Sequence, residues 1–470
     1  MPRLGVPDPG SSEAIHGLVR GGSTDLESFV RLSQLDKASA YARQQRVYAL
    51  PYSTSFPQAY GLGETWDRDV LKMVGEVTSI EARYHSWKTG RNCLVLWAPN
   101  ADLARDPRWG RTEESFSEDP FLAAELTVRE VQGMQGDDPT YWRTATVMKH
   151  FLANSNEDGR SYTSSDFDEA LFRDYYSYPF WKGVVEVRYM QWDSDGEAQR
   201  LAEWADVAIV CVGNNPMTSP DWEREKIQAP WGEGNILSDG REAVDRRSLE
   251  LDSEDLIKVV WKANPNTVVA LISSFPYTID WTQDHVPAIL HMAQSSQELG
   301  TALADVIFGD YNPAGRTNQT WVKDILDLPN MLDYDIRNGR TYMYYKGETI
   351  YPFGHGLSYT TFEYSGLKVK KDNGGCKVTF DLTNTGSMDG EEVVQLYVKF
   401  AGDDAAMRLR GFDRIPVKKG ETVKVEIVVD ETDMKLWDID KHAFTFDKGE
   451  YEFMVGASSA DIRLRKSMKM

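Results

Sequence analysis

Two rhythms alternate along the chain as far as residue 310: short unbroken apolar stretches that read as buried strands, and stretches with apolar positions three and four apart that read as helices. CLVLWAPN, TATVMKHFL and DVAIVCVGN belong to the first kind, and LAAELTVREVQGMQG, DEALFRDYYSYPFWKGVVE and DGEAQRLAEWA to the second. SEDLIKVVWKAN predicts a further helix, with Asp252 or Ser253 as its cap. TVVALISSFPYTI and VPAILHMA read as strands around a turn, and SSQELGTALADVIFG as a helix ended by Gly309. Unbroken apolar strands separated by helices predict a parallel sheet covered on both faces. From about residue 361 the period drops to two, in CKVTFDLTNTG, EEVVQLYVKF, TVKVEIVVD and EYEFMVGAS, with Gly, Asp and Asn turns between them. That pattern predicts a β-sandwich of about a hundred residues.

A length of 470 residues exceeds one ordinary core and favours two to three domains. The net charge of −21 is spread along the chain with no basic block to neutralise a phosphate backbone, which argues against nucleic acid as a partner. No run of about 18 apolar residues predicts a membrane span, and MPRLGVPDPG lacks the charged start and apolar core of a signal peptide. Cys93, Cys211 and Cys376 lie far apart with no C-x-x-C spacing, so neither a disulfide framework nor a zinc site is predicted, and no metal or organic cofactor is implied. Fourteen tryptophans and twenty-two tyrosines supply aromatic faces suited to sugar rings, although core packing also accounts for them.

Longer motifs then become specific. SSEAIHG, TSFPQAYGLGETWD, WAPNADLARDPRWGRTEESFSEDP and KHFLANSNEDGR resemble, in this order, the barrel motifs of family 3 glycoside hydrolases. GREAVDRRSLEL, PNTVVALISSFPYTIDW and SSQELGTALADVIFGDYNPAGR resemble the α/β-sandwich domain of that family, and EEVVQLYVKF, LRGFDRI and KGEYEFMVGASS its fibronectin-III-like domain. The resemblance implies an α/β plus all-β architecture: a partial TIM-type β/α barrel over 1–187, an α/β sandwich over 188–345, and a linker with a fibronectin-III-like β-sandwich over 346–470. It also implies a retaining β-glycosidase whose substrate is a small oligosaccharide or β-glycoside, with glucose, xylose or arabinose left open.

A pocket for one sugar needs carboxylates as acceptors and Arg, Lys or His as donors. Glu13, Arg111, Lys149, His150 and Arg160 supply that mixture, and the resemblance assigns them to hydroxyl binding beside the cleaved bond. Arg105, Asp106 and Arg108 read alternatively as an ion-pair network pinning a loop, His16 as a packing residue, and Asp245 with Arg246 as a structural ion pair. Retaining glycosidases use two carboxyl groups about 5 to 5.5 Å apart, one attacking the anomeric carbon and one donating a proton. The resemblance places the acid in the loop from Pro216 to Arg247, where Glu242 and Glu233 are the candidates, with Asp239 next. The family's aspartate nucleophile has no counterpart here; Asp193 and Asp195 do not match its motif, and the pattern of the second domain begins directly after the helix ending near Glu186. A competent glycosidase, a sugar-binding protein that does not cleave, and a deletion product therefore all remain open.

Overall fold

The computed structural model describes residues 11–14, 16–18, 53–89, 94–138, 142–147, 149–160, 163–182, 202–203, 205–213, 240, 245–294, 298–372 and 374–470. Three separate sheet systems follow one another along the chain. The first is parallel and three-stranded, in the order β1 (Ser11–Glu13), β2 (Val95–Trp97), β3 (Ala145–Thr146). Helices α1 (Ala59–Glu64), α2 (Arg68–Thr89) and α3 (Pro120–Gln135) lie in its connections. α3 starts two residues before the stretch read as helical, because the Asp119 carboxylate accepts the Leu122 amide at 2.7 Å and Pro120 occupies the first turn, where no N–H is missed. α2 and α3 touch backbone to backbone: a Cβ on Gly75 would stand 2.1 Å from the Glu130 carbonyl, and one on Gly133 2.1 Å from that of Lys72. Alanine at either site would push the pair apart.

Two expectations for this region change. The strand read in TATVMKHFL is confined to two residues, after which the chain turns away and only Lys149 returns to bridge Asn100. The helix read over DEALFRDYYSYPFWKGVVE is interrupted: a helical turn at Glu169–Leu171, a π-helical stretch at Phe172–Tyr176, then α4 (Tyr178–Lys182). Pro179 donates no amide hydrogen bond. Tyr175 and Tyr176 of this stretch are buried in the main apolar cluster, their hydroxyls donating to the carbonyls of Glu118 and Tyr334 at 2.9 and 2.7 Å.

The second sheet is parallel, in the order β4 (Ala208–Gly213), β5 (Thr267–Ile272), β6 (Ala288–Met292), with α5 (Glu254–Ala263) before β5. Ser253 stands at the N-cap of α5, but its hydroxyl makes no capping bond. The two segments read as strands around a turn are β5 and β6, and they run parallel, because the short helix α6 (Asp280–His285) carries the chain back across the sheet. α7 (Leu299–Phe308) ends as expected on Gly309 in the left-handed conformation. A small antiparallel pair, β7 (Trp321–Val322) and β8 (Thr349–Tyr351), follows.

The C-terminal sandwich faces a three-stranded sheet, in the order β13 (Thr422–Val429), β10 (Gly375–Asn384), β9 (Phe362–Asp372), against a four-stranded one, in the order β12 (Arg408–Val417), β11 (Gly390–Lys399), β16 (Glu450–Gly456), β17 (Ile462–Lys469). β14 (Leu436–Asp438) and β15 (Ala443–Thr445) form a side hairpin. Its core is Val378, Phe380, Leu382, Leu396, Val398, Ile427 and Phe453. β11 is buried on both faces despite its alternating appearance, since Val393 and Tyr397 turn away from that core. They join Trp66, Phe121, Tyr342, Phe353 and Phe412 in the largest apolar cluster, which welds the sandwich to α1–α3. Arg68 lies over the Phe412 ring at 3.9 Å and donates to the Phe412 carbonyl at 3.1 Å.

At this junction Glu118 is fully buried, accepting from the Thr320 hydroxyl and, at 3.1 Å, from the Tyr342 amide. Burial pushes its pKa up to about 7. The folded state therefore holds a proton that the unfolded state has released above the ordinary glutamate value of about 4.3, so the Glu118 contribution falls as pH rises from there through about 7. Glu118→Gln keeps the acceptor and removes the titration. Its unfolding free energy, followed by urea titration at several pH values, is expected to lose about 3 kcal/mol less than the wild type between pH 4 and pH 8. Parallel curves for the two proteins would contradict the assignment.

Candidate active site

Four of the side chains singled out from the sequence, Glu13, Arg111, Lys149 and His150, gather at the C-terminal ends of β1, β2 and β3. Glu13 is the last residue of β1, in register with Trp97 at the end of β2. Its carboxylate lies 3.1 Å from the Lys149 ammonium. The next residue, His150, is held by Asp102, which accepts both the His150 amide at 3.0 Å and Nδ1 at 3.1 Å. With the Nδ1 proton committed to Asp102, Nε2 turns its lone pair to Arg111 Nη1, 3.2 Å away. Burial, aided by the positive charges of Arg111 and Lys149, lowers the His150 pKa against the pull of Asp102, so the ring is neutral near pH 7. Arg111 in turn forms a two-pronged pair with Glu114, through Nε at 2.7 Å and through Nη2. The result is a continuous chain, Glu13–Lys149 beside Asp102–His150–Arg111–Glu114. Glu13 and His150 keep roughly a third of their side-chain surface open and Arg111 almost none.

Arg160 sits apart from this chain, on Glu157 at 2.9 Å, and Trp109 Nε1 donates to the same carboxylate at 2.9 Å. The main-chain N–H of Phe56 donates to the His16 carbonyl. Asp102 and Glu114, which orient His150 and Arg111, were not singled out from the sequence, although both lie inside WAPNADLARDPRWGRTEESFSEDP. Only the fold shows that they face the following strand's loop.

The loop Arg105–Arg111 that delivers Arg111 is pinned by buried charge, as its alternative reading expected. Asp106, fully buried, meets Arg108 at 2.7 Å and Arg340 at 3.0 Å. Burial pushes the Asp106 pKa up, but the hydrogen bond from Arg108 and the fields of Arg108, Arg340 and Arg105 outweigh it and hold the carboxyl far below its ordinary range. Arg105 donates to the carbonyls of Ser155 and Met331 at 3.1 and 2.8 Å and stacks on Tyr334 at 4.0 Å.

Asp245 and Arg246 depart from expectation. Asp245 accepts three backbone amides, those of Gly110 at 3.0 Å, Glu157 at 2.7 Å and Asp158 at 2.8 Å, and burial pushes its pKa up to about 6 against these bonds. Arg246 points the other way, donating to the Pro276 carbonyl at 2.6 Å and lying over Phe275 and Tyr277. Backbone amides satisfy a buried carboxylate where side-chain charge is committed elsewhere, so the pair expected between these neighbours gives way to a staple joining two loops. Glu233, Glu242 and Asp239, like Asp193 and Asp195, lie outside the described residues. Among the described residues no group of three or more His, Cys, Asp or Glu is arranged to hold a metal ion, and no helix is long and apolar enough to cross a membrane.

Comparison with known proteins gives two family matches: the glycosyl hydrolase family 3 C-terminal domain over residues 25–359 and a fibronectin type III-like domain over 392–459. The chain is 35% identical over 234 residues to a xylan 1,4-beta-xylosidase of Xylanibacter ruminicola, a match covering 48% of this chain and 27% of that protein, well under two thirds of its length. It is 24% identical to the thermostable beta-glucosidase B of Acetivibrio thermocellus, covering 89% of this chain and 80% of the relative, in an alignment 614 positions long. The fold is similar to that of beta-glucosidase 3B from Thermotoga neapolitana in its glucose complex, with a TM-score of 0.76 at 20% identity over 100% of this chain and 93% of the other. It is likewise similar to a Bifidobacterium adolescentis GH3 beta-glucosidase, with a TM-score of 0.74 at 21% identity over 100% and 92%.

Proposed function

Because this chain belongs to glycosyl hydrolase family 3, we propose that it binds the terminal sugar of β-glucosides or β-xylosides on the scaffold of a retaining β-glycosidase. In this reading residues 1–187 are a partial barrel, 188–345 the α/β sandwich and 346–470 the linker and fibronectin-III-like sandwich. The observation that supports it best is the Glu13–Lys149 pair beside Asp102–His150–Arg111–Glu114 at the C-terminal ends of parallel strands, the face on which β/α barrels carry their chemistry. Glu13 accepts from sugar hydroxyls and Lys149 donates to them. Asp102 fixes the His150 tautomer and Glu114 aims Arg111. Arg160, one loop further out, borders the pocket. The proton donor is Glu233 or Glu242, in the segment whose C-terminal base Asp245 staples to the loops at Gly110 and Glu157.

Replacing Lys149 by alanine removes a charged donor and leaves Glu13 without that partner. Charged hydrogen bonds to a sugar contribute about 1.5 to 3 kcal/mol each, so glucose or xylose affinity measured by calorimetry is expected to fall roughly tenfold or more. Equal heats for wild type and variant would remove the pocket from consideration.

A second reading, binding without turnover, is favoured by length. The last described helix of the first region ends at Lys182 and the first strand of the next sheet begins at Ala208. One βαβ unit takes about 30 residues, so that interval has no room for the further strands an eight-stranded barrel needs. The retaining nucleophile would come from those strands.

A further inference from the structure

Strand parity sorts the side chains of the first sheet. Leu96 is buried with Ala14, Leu18, Ala82 and Met134, so Trp97 points to the opposite face, and its register partner Glu13 shares that face. Val147, following the Leu96 partner Thr146, lies on the same side. In a closed barrel this inner face is filled by layers of side chains. Here Trp97 is 47% exposed, Val147 40% and, just beyond, Phe151 69%.

The edge beside this face is also unpaired among the described residues. The amides of Ala145 and Val147 donate to the carbonyls of Leu94 and Leu96 at 2.8 Å, so the N–H and C=O of Thr146, one residue out of phase, point away from β2. Among the described residues no strand pairs with β3 on that side. An unpaired edge with an apolar face beside it is a template for strand addition. The alignment with the Acetivibrio thermocellus beta-glucosidase runs over 614 positions against the 470 residues of this chain, so that relative carries segments this chain lacks.

We infer that the outer edge of β3, with Trp97 and Val147 beside it, docks a separate polypeptide of βα units that extends the parallel sheet over the sugar pocket. The inference rests on the reading of an incomplete barrel.

The probe is the stretch of the Acetivibrio thermocellus enzyme that aligns with gaps in this chain, expressed separately and added to the full chain. Sedimentation velocity is expected to show an equimolar complex, and tryptophan emission to shift to shorter wavelength as Trp97 loses water. Thr146→Pro removes the outward N–H while leaving the bonds to β2, and should weaken the complex roughly tenfold or more. Val147→Lys serves the same purpose should the proline disturb β3, because its charge is solvated in the isolated chain and buried on docking. The docking surface is overturned if no complex forms or if both variants bind as tightly as the wild type. Self-association of the chain, abolished by Val147→Lys and excluding the segment, would assign the edge to a second copy instead and equally overturn the proposal. Glucose or xylose titration of the isolated chain keeps the two readings apart: a chain that binds sugar but refuses the segment loses only the docking surface. One that takes the segment but no sugar loses only the pocket.

Discussion

Asp106→Ala is expected to lower the free energy of unfolding by about 3 to 5 kcal/mol, the usual cost of removing one partner from a buried ion pair. The carboxylate is fully buried between Arg108 and Arg340, and Arg340 is itself fully buried. Removing it strands two guanidinium groups with little water to solvate them. Burying the charges has its own penalty, so the intact network adds little net stability, while the broken one is far worse than an apolar replacement of the whole set. Asp106→Asn keeps acceptor atoms and should fall between wild type and alanine. Because the folded-state pKa lies far below the ordinary aspartate value of about 3.9, the contribution is complete above that value and is lost only as pH falls below it. The difference between wild type and Asp106→Ala in urea unfolding, followed by tryptophan fluorescence, should therefore be constant from pH 5 to pH 8. A cost below about 1 kcal/mol would mean that the network is not intact in solution.

The second large effect concerns turnover. Purified chain, given activated aryl β-glucosides and β-xylosides, is expected to show no burst of leaving group and a steady rate roughly a thousandfold or more below that of complete relatives. A good leaving group needs little help from the acid, so this substrate reports on the attacking carboxylate whichever of Glu233 and Glu242 donates the proton. The covalent step requires a second carboxyl group about 5 to 5.5 Å from the acid, and the three described strands offer Glu13, which is engaged with Lys149. A burst equal to the enzyme concentration would refute the length argument and send the search for a nucleophile into the residues between Lys182 and Ala208.

The order of elements was legible because it rests on local rules: unbroken apolar runs for β4 and β5, apolar positions three and four apart for α3, Gly309 after α7. What failed was non-local. Nothing in VPAILHMA distinguishes a strand turning back from one carried parallel by a six-residue helix, since both need only an apolar run and a short connection. The alternation in β11 suggested one wet face, yet that face is covered by Tyr342, which lies against Tyr397, and by a cluster reaching back to Trp66 and Phe121. Of the site, the residue types were legible but the hierarchy was not. Arg111 and Arg160 look equivalent in sequence, while the fold threads the first into the Lys149–His150 group and sets the second on Glu157. Asp245 next to Arg246 looked like a pair, because sequence shows neighbours and not the direction in which alternate side chains leave a strand-like segment.

The three amides collected by Asp245 bear on how this scaffold diversifies. Gly213, where a Cβ would stand 1.8 Å from the Ile272 carbonyl, fixes where the chain leaves β4, and Asp245 fixes where it returns. Both anchors are independent of what lies between. Closing a longer connection costs only about 0.6 kcal/mol per doubling of its length, so these two anchors tolerate connections of different length. Replacing the residues between Gly213 and Asp245 by a connection of another length is therefore expected to leave the three Asp245 bonds, and the loops at Gly110 and Glu157 that they join, in place.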